Sequence, residues 1–227
     1  MMSEKHTHIT RRKLKTPRAA AIAGIFFALL FGTGLVLIRI SIPGDPTAEN
    51  AWLDTNSRTV SLALNLIPYA GIAFLWFIGV IRDRLEDLED RLFSTVFLGS
   101  GLLFLALTFT GAALAGGLLN SYVLAPSALV ESGVFAYSRA VMYQTVNVYA
   151  IRMAGVFMIS LGTIWLRTGL MQRVWAFVTY ALALVLLVSI GYSLWVTLIF
   201  PSWVLAVSIY FLILNFREPR QDALDEI

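Results

Sequence analysis

The sequence predicts an all-α fold: a polytopic transmembrane helical bundle of about six spans, with both ends on the cytoplasmic side. Three observations carry that prediction. Hydrophobic residues make up 58% of the 227 and charged residues only 14%, at a mean hydropathy of +0.77, a balance foreign to ordinary water-soluble domains. Apolar runs of about 20 residues recur along the chain, each long enough to cross the hydrocarbon of a bilayer. Lys and Arg collect in alternate connections, as they do on the retained side of a membrane.

Taken in order, Met1 to Arg18 carries Lys5, Arg11, Arg12, Lys13, Lys15 and Arg18 and reads as a basic cytoplasmic tail. Ala19 to Ile40 is the first span, since about 22 apolar residues exceed the roughly 7 to 15 of a signal-peptide core. The Thr10 to Lys15 stretch echoes a twin-arginine export signal but lacks its full pattern. Ser41 to Thr59 holds Pro43, Gly44 and Pro46 as breakers and Asp45, Glu49 and Asp54 as charges, so an outer loop is expected there. Val60 to Ile81 returns inward, Arg82 to Arg91 is a charged inner connection, and Leu92 to Leu119 crosses outward. Asn120 to about Asn147 is expected as the second outer loop. Val148 to Leu166 crosses inward, Arg167 to Arg173 is a tight basic turn, and Val174 to Ile190 crosses outward. Gly191, Tyr192 and Ser193 then turn the chain into the last span, Leu194 to Phe216. The organisation is a tail (1–18), one transmembrane helical domain (19–216) and a second cytoplasmic tail (217–227).

Orientation follows from the basic residues. Thirteen lie on the inner segments against four outside, Arg39, Arg58, Arg139 and Arg152, which predicts both ends in the cytoplasm. The spans must be helices, because lipid offers no partner for unpaired backbone groups and the continuous apolar runs lack the alternation of barrel strands. Pro68 and Pro201 do not fall at matching places in the two halves, so no inverted-repeat argument for a transporter is available.

The stretch from Ala63 to Arg84, continued by Glu89, Asp90 and Arg91 and by Phe97 to Phe104, resembles uncharacterised multi-pass membrane proteins of bacteria. The resemblance covers the second and third spans best. It implies a bacterial inner membrane, hence the plasma membrane, and it carries no activity, cofactor or residue role.

Several chemistries are excluded outright. With no cysteine there is no disulfide, thiolate nucleophile or cysteine-ligated metal. The two histidines, His6 and His8, lie in the polar tail, so the spans hold no imidazole base, haem ligand or H-E-x-x-H zinc site. The formal charge of +3 comes from the inner flanks and not from a basic face interleaved with aromatics, so no nucleic-acid partner is expected. No cofactor motif is present.

Two constellations remain. In Arg82 to Arg91 a helical projection puts Asp83, Glu86, Asp87 and Asp90 on one face and Leu85, Leu88 and Leu92 opposite. Asp83, Asp87 and Asp90 are the candidate ligands of a Mg²⁺ ion for a diphosphate substrate, because hard cations take carboxylate oxygens. The aspartate-rich motif of membrane prenyltransferases sits in such a place, but its asparagine and its second acidic loop are missing here. The favoured reading is a solvated helical extension laced by the pairs Arg82 with Glu86 and Asp87 with Arg91.

The second constellation is outer and basic. Arg39, about 20 residues into the first helix, is expected to snorkel to water as an anchor. Arg139, Tyr143 and Asn147 form an i,i+4 stripe, with Arg152 about 140° round from Asn147 on an ideal helix. Arg152 is expected to pair with Asp45, Glu49, Asp54 or Glu131. Alternatively Arg39, Arg152 and Arg139 line an outward-facing site for a carboxylate or phosphate.

The remaining features read as structural. Asn65 and Pro68, and separately Pro201, mark local helix irregularities. The glycines and alanines of the third span permit close helix packing, within the chain or across a homodimer. The Trp and Tyr residues near span ends form interfacial belts. Three functions are therefore expected in this order: a non-catalytic membrane component or partner-binding subunit, a small-solute channel or transporter, and a metal-dependent enzyme acting on a lipid-linked substrate. The expected partners are the lipid bilayer and either another membrane protein or a second copy of the chain.

Overall fold

The computed structural model describes residues 16–42, 51–85, 91–169, 171–188 and 194–217, and every regular element among them is helical. These residues form eight α-helices: α1 (Thr16–Ser41), α2 (Ala51–Leu85), α3 (Arg91–Leu124), α4 (Pro126–Glu131), α5 (Val134–Tyr143), α6 (Ile151–Thr168), α7 (Arg173–Val188) and α8 (Ile199–Arg217). A π-helical segment, Gln144–Ala150, joins α5 to α6, and a 3₁₀ turn, Leu194–Leu198, leads into α8.

Among the described residues five helices are long and apolar enough to cross a membrane: α1, α2, α3, the continuous rod Val134–Thr168 and the helix ending in α8. The protein is thus a multi-pass membrane protein. At 16 residues α7 is about 24 Å long, short of the roughly 30 Å of hydrocarbon, which sets it apart from the five.

Two expected loops are largely helical over their described residues. The first nine residues of α2, 51–59, fall inside the first of them, while 43–50 lie outside the described residues. The second, from Asn120 onward, holds the end of α3, all of α4 and α5, and the start of the π segment. Polar composition marks where a helix leaves lipid and not where it ends, because a helix in water is still stabilised by packing. Here Leu53, Val60, Leu118, Leu129 and Phe135 bury one another in a small second core at the end of the bundle where α2 begins and α3 finishes. Gly133, at φ +72°, makes the left-handed turn between α4 and α5, and Gly169, at φ +68°, ends α6 with its N–H on the Trp165 carbonyl at 3.0 Å.

In lipid the helices gain little from hiding apolar surface, so close packing and buried polar contacts must hold them together. α1 packs on α2 and α8, α3 packs on α2 and α6, and α6 packs on α7. Five of these helices each send one phenylalanine to a common centre: Phe27, Phe74, Phe104, Phe157 and Phe200, all almost fully buried. Ring centroids lie 4.6 Å apart for Phe27 and Phe74, 5.4 Å for Phe74 with both Phe104 and Phe157, and 4.7 Å for Phe104 and Phe200. Most pairs meet tilted or edge to face, the arrangement the ring quadrupole favours.

Polar contacts tie the remaining helices. Trp203 Nε1 donates to Thr179 Oγ1 at 3.0 Å between α8 and α7, and the Thr163 and Tyr180 hydroxyls share a 2.8 Å bond between α6 and α7. One turn beyond Thr163 on α6, Arg167 stacks over Phe93 of α3 at 4.6 Å.

The small residues of α3 divide into two sets. A side chain at Gly101 would run into Ile78 and Phe157, and one at Gly111 would run into Val146, so both are required by packing within the chain. Gly99, Gly116 and Gly117 face open space.

Candidate functional site

The structure places the three arginines expected to lie together on two elements. Arg39 is in the last turn of α1, and Arg139 and Arg152 lie on the rod that runs from α5 into α6. All three are half-buried. Between the latter two the backbone follows π geometry, in which each hydrogen bond spans one residue more than in an α-helix. A 100° projection therefore loses phase across Gln144–Ala150, and the expected 140° offset between Asn147 and Arg152 does not describe this rod. The segment is seated by α3, where Gly111 lets Val146 approach the backbone.

The widened turn turns Asn147 toward α1. Arg39 Nη2 donates to Asn147 Oδ1 at 2.6 Å, while Asn147 Nδ2 donates to the Tyr143 carbonyl at 3.2 Å. The second bond fixes which side of the amide Arg39 meets. The stripe of Tyr143 and Asn147 is thus the surface that receives Arg39, a contact that the expectation of a snorkelling anchor did not include. Its Nε is buried with no hydrogen-bond partner among the described residues. A guanidinium near the end of a span is accordingly met by one neutral amide, and it keeps donor capacity of the kind that oxyanions take up.

Arg152 does not join this contact, and it forms no ion pair among the described residues. Of the acids expected to meet it, Asp45 and Glu49 lie outside the described residues, Asp54 sits in the first turn of α2, and Glu131 is exposed at the end of α4. At the opposite end, Asp83 is exposed in the last turn of α2, whereas Asp87 and Asp90 lie outside the described residues. Among the described residues no group of three acidic or imidazole side chains is placed to hold a metal ion.

Sequence reasoning missed the Arg39–Asn147 contact. The stripe was visible, but its partner lies 108 residues away. Open grooves complete the polar and apolar relief. One, about 440 Å³, lies between α7 and α8 and is walled by Trp175, Trp195 and Trp203. Another, about 370 Å³, runs between α3 and the α4–α5 turn, past Thr110, Ser121 and Ser138.

The fold and this site define a polytopic α-helical membrane protein in which a half-buried polar contact joins α1 to the π segment. Comparison with protein-family models, with curated proteins and with solved structures finds no match.

Proposed function

We propose that the chain is a non-catalytic component of a bacterial plasma membrane, crossing it six times with both ends in the cytoplasm and serving to bind a membrane-protein partner. The observation that supports this reading is the centre of the bundle. A channel or transporter needs polar groups, ions or water near the midplane, and here the centre is filled by Phe27, Phe74, Phe104, Phe157 and Phe200. Three of the buried hydroxyls are turned back on their own helices: Ser100, Thr108 and Ser160 each donate to the carbonyl four residues earlier. The sixth crossing and the orientation rest on the thirteen-to-four distribution of basic residues, with α7 completing the count.

One observation favours a second reading. A charged residue inside a span, bonded to a π-helical turn, is the usual mark of a site in membrane proteins, so a transporter of small anions using Arg39 is the alternative. Copurification in mild detergent with mass spectrometry, together with solute flux into proteoliposomes, separates the two. The component reading predicts a stoichiometric protein partner and flux no greater than in empty liposomes. Saturable anion flux that Arg39→Ala abolishes would replace it with the transporter.

A further inference from the structure

A hydrogen-bonding group facing hydrocarbon has no water to turn to, so it is satisfied by its own helix or by a neighbouring one. Thr110 on α3, exposed to the surroundings, takes the first route and donates to the Ala106 carbonyl at 2.9 Å. Asn65 on α2 takes neither. It is exposed, on the side of α2 turned away from its packed neighbours, and its carboxamide makes no hydrogen bond among the described residues. Three residues on, Pro68 is exposed as well, and because proline has no N–H the Leu64 carbonyl loses its helical donor. One stretch of lipid-facing surface thus carries an amide donor, an amide acceptor and a freed carbonyl.

The spacing of this face matches a helix–helix seam. Asn65, Ile72 and Gly79 are exposed and seven apart, and Ser61, Pro68 and Leu75 form a second exposed row at the same interval. Alternating steps of three and four keep one stripe against a parallel partner. A single asparagine on such a seam fixes register, since the amide is satisfied only opposite another polar group. At Gly79 an added side chain would meet nothing within 4 Å, so nothing in this chain requires the bare backbone there, while an approaching helix would use it.

The chemistry of the amide selects the occupant. A carboxamide is donor and acceptor at once, so two copies of Asn65 facing each other across a two-fold axis satisfy both, and each keeps a second N–H for a carbonyl such as that of Leu64. Copies of one membrane protein share an orientation, so a two-fold axis along the bilayer normal brings α2 against α2 in parallel, with Asn65 at equal depth. We propose that the outer face of α2 is a homodimer seam in which a second copy of this chain packs along Asn65, Ile72 and Gly79, with Asn65 paired to Asn65.

This names a partner for the component reading on which it rests, and its test is separate. The chain has no cysteine, so an introduced thiol is the only one. Ile72→Cys and Gly79→Cys, with the exposed control positions Leu29→Cys on α1 and Phe177→Cys on α7, are oxidised in liposomes at low protein-to-lipid ratio. Disulfide-linked dimers are expected at the seam positions and not at the controls. Adding Asn65→Leu to Ile72→Cys weakens association by about tenfold, whereas Asn65→Gln preserves it. Cross-linking at Ile72→Cys no better than at the controls, or unchanged by Asn65→Leu, overturns the proposal. So does a monomer by single-molecule photobleaching from which Asn65→Leu strips a different protein; that result would hand the face to another partner and leave the component reading standing. Solute flux tests that reading without involving this face.

Discussion

Arg39, at the end of α1, donates through Nη2 to the Oδ1 of Asn147 in the π-helical turn, 2.6 Å away and 108 residues along the chain. This bond fastens the first span to the rod that carries Arg139 and Arg152. Asn147→Leu leaves a half-buried charge without its acceptor, and a loss of about 2 kcal/mol is expected in denaturation in detergent. The double variant Arg39→Leu with Asn147→Leu should recover most of that loss, since removing both partners leaves no orphaned charge. A cycle of the four proteins gives the coupling directly.

Gly111 on α3 determines whether the π segment can sit where Asn147 reaches Arg39. Gly111→Ala drives a methyl into Val146 and is expected to cost about 1 to 3 kcal/mol. Gly116→Ala, five residues on, meets nothing within 4 Å and should leave melting unchanged or raise it slightly. Equal effects at the two positions would show that Val146 does not approach α3 as closely as the structure has it.

Phe74 touches four other central rings, those of Phe27, Phe104, Phe157 and Phe200. Phe74→Ala opens a cavity at the point where five helices meet. The expected cost is about 2 kcal/mol or more, carried by the cavity because lipid reduces the transfer contribution. Phe109→Ala, at a partly exposed ring on α3, is the comparison and should cost less. Melting temperature in detergent checks the order.

Ser208 runs against intuition. Its hydroxyl is fully buried against Gly24 and finds no hydrogen-bond partner among the described residues. Removing an unsatisfied polar group is neutral or stabilising, so Ser208→Ala should hold or raise the melting temperature. Gly24→Ala, in contrast, collides with Ser208 and Phe77 and should lower it.

The helical class and the membrane setting were legible because an unbroken apolar run of span length is stable in lipid and would leave a water-soluble chain aggregated. Helix ends were not, because polarity reports the water boundary: α2 begins at Ala51, nine residues before the apolar run at Val60, and buries Leu53 in the second core. The stripe of Arg139, Tyr143 and Asn147 was legible as spacing, yet its partner was not. An arginine that snorkels and one that bonds a distant amide leave the same trace, a cation near the end of an apolar run. The π turn left no trace at all, since a sequence projection assumes one angle per residue throughout. The five central phenylalanines were indistinguishable from those facing lipid, such as Phe26 and Phe177, because a membrane span is apolar on every side.

A non-catalytic component with no solute path requires the middle of the bundle to be packed and dry. Ala70, buried on α2 one turn from Phe74, offers a position where cysteine adds little volume, in a chain with no other thiol. In sealed proteoliposomes a water-soluble, membrane-impermeant maleimide should leave Ala70→Cys unlabelled while it labels Ser127→Cys on the exposed α4. Rapid labelling of Ala70→Cys, slowed by a small solute, would contradict that requirement and reveal an aqueous path through the bundle.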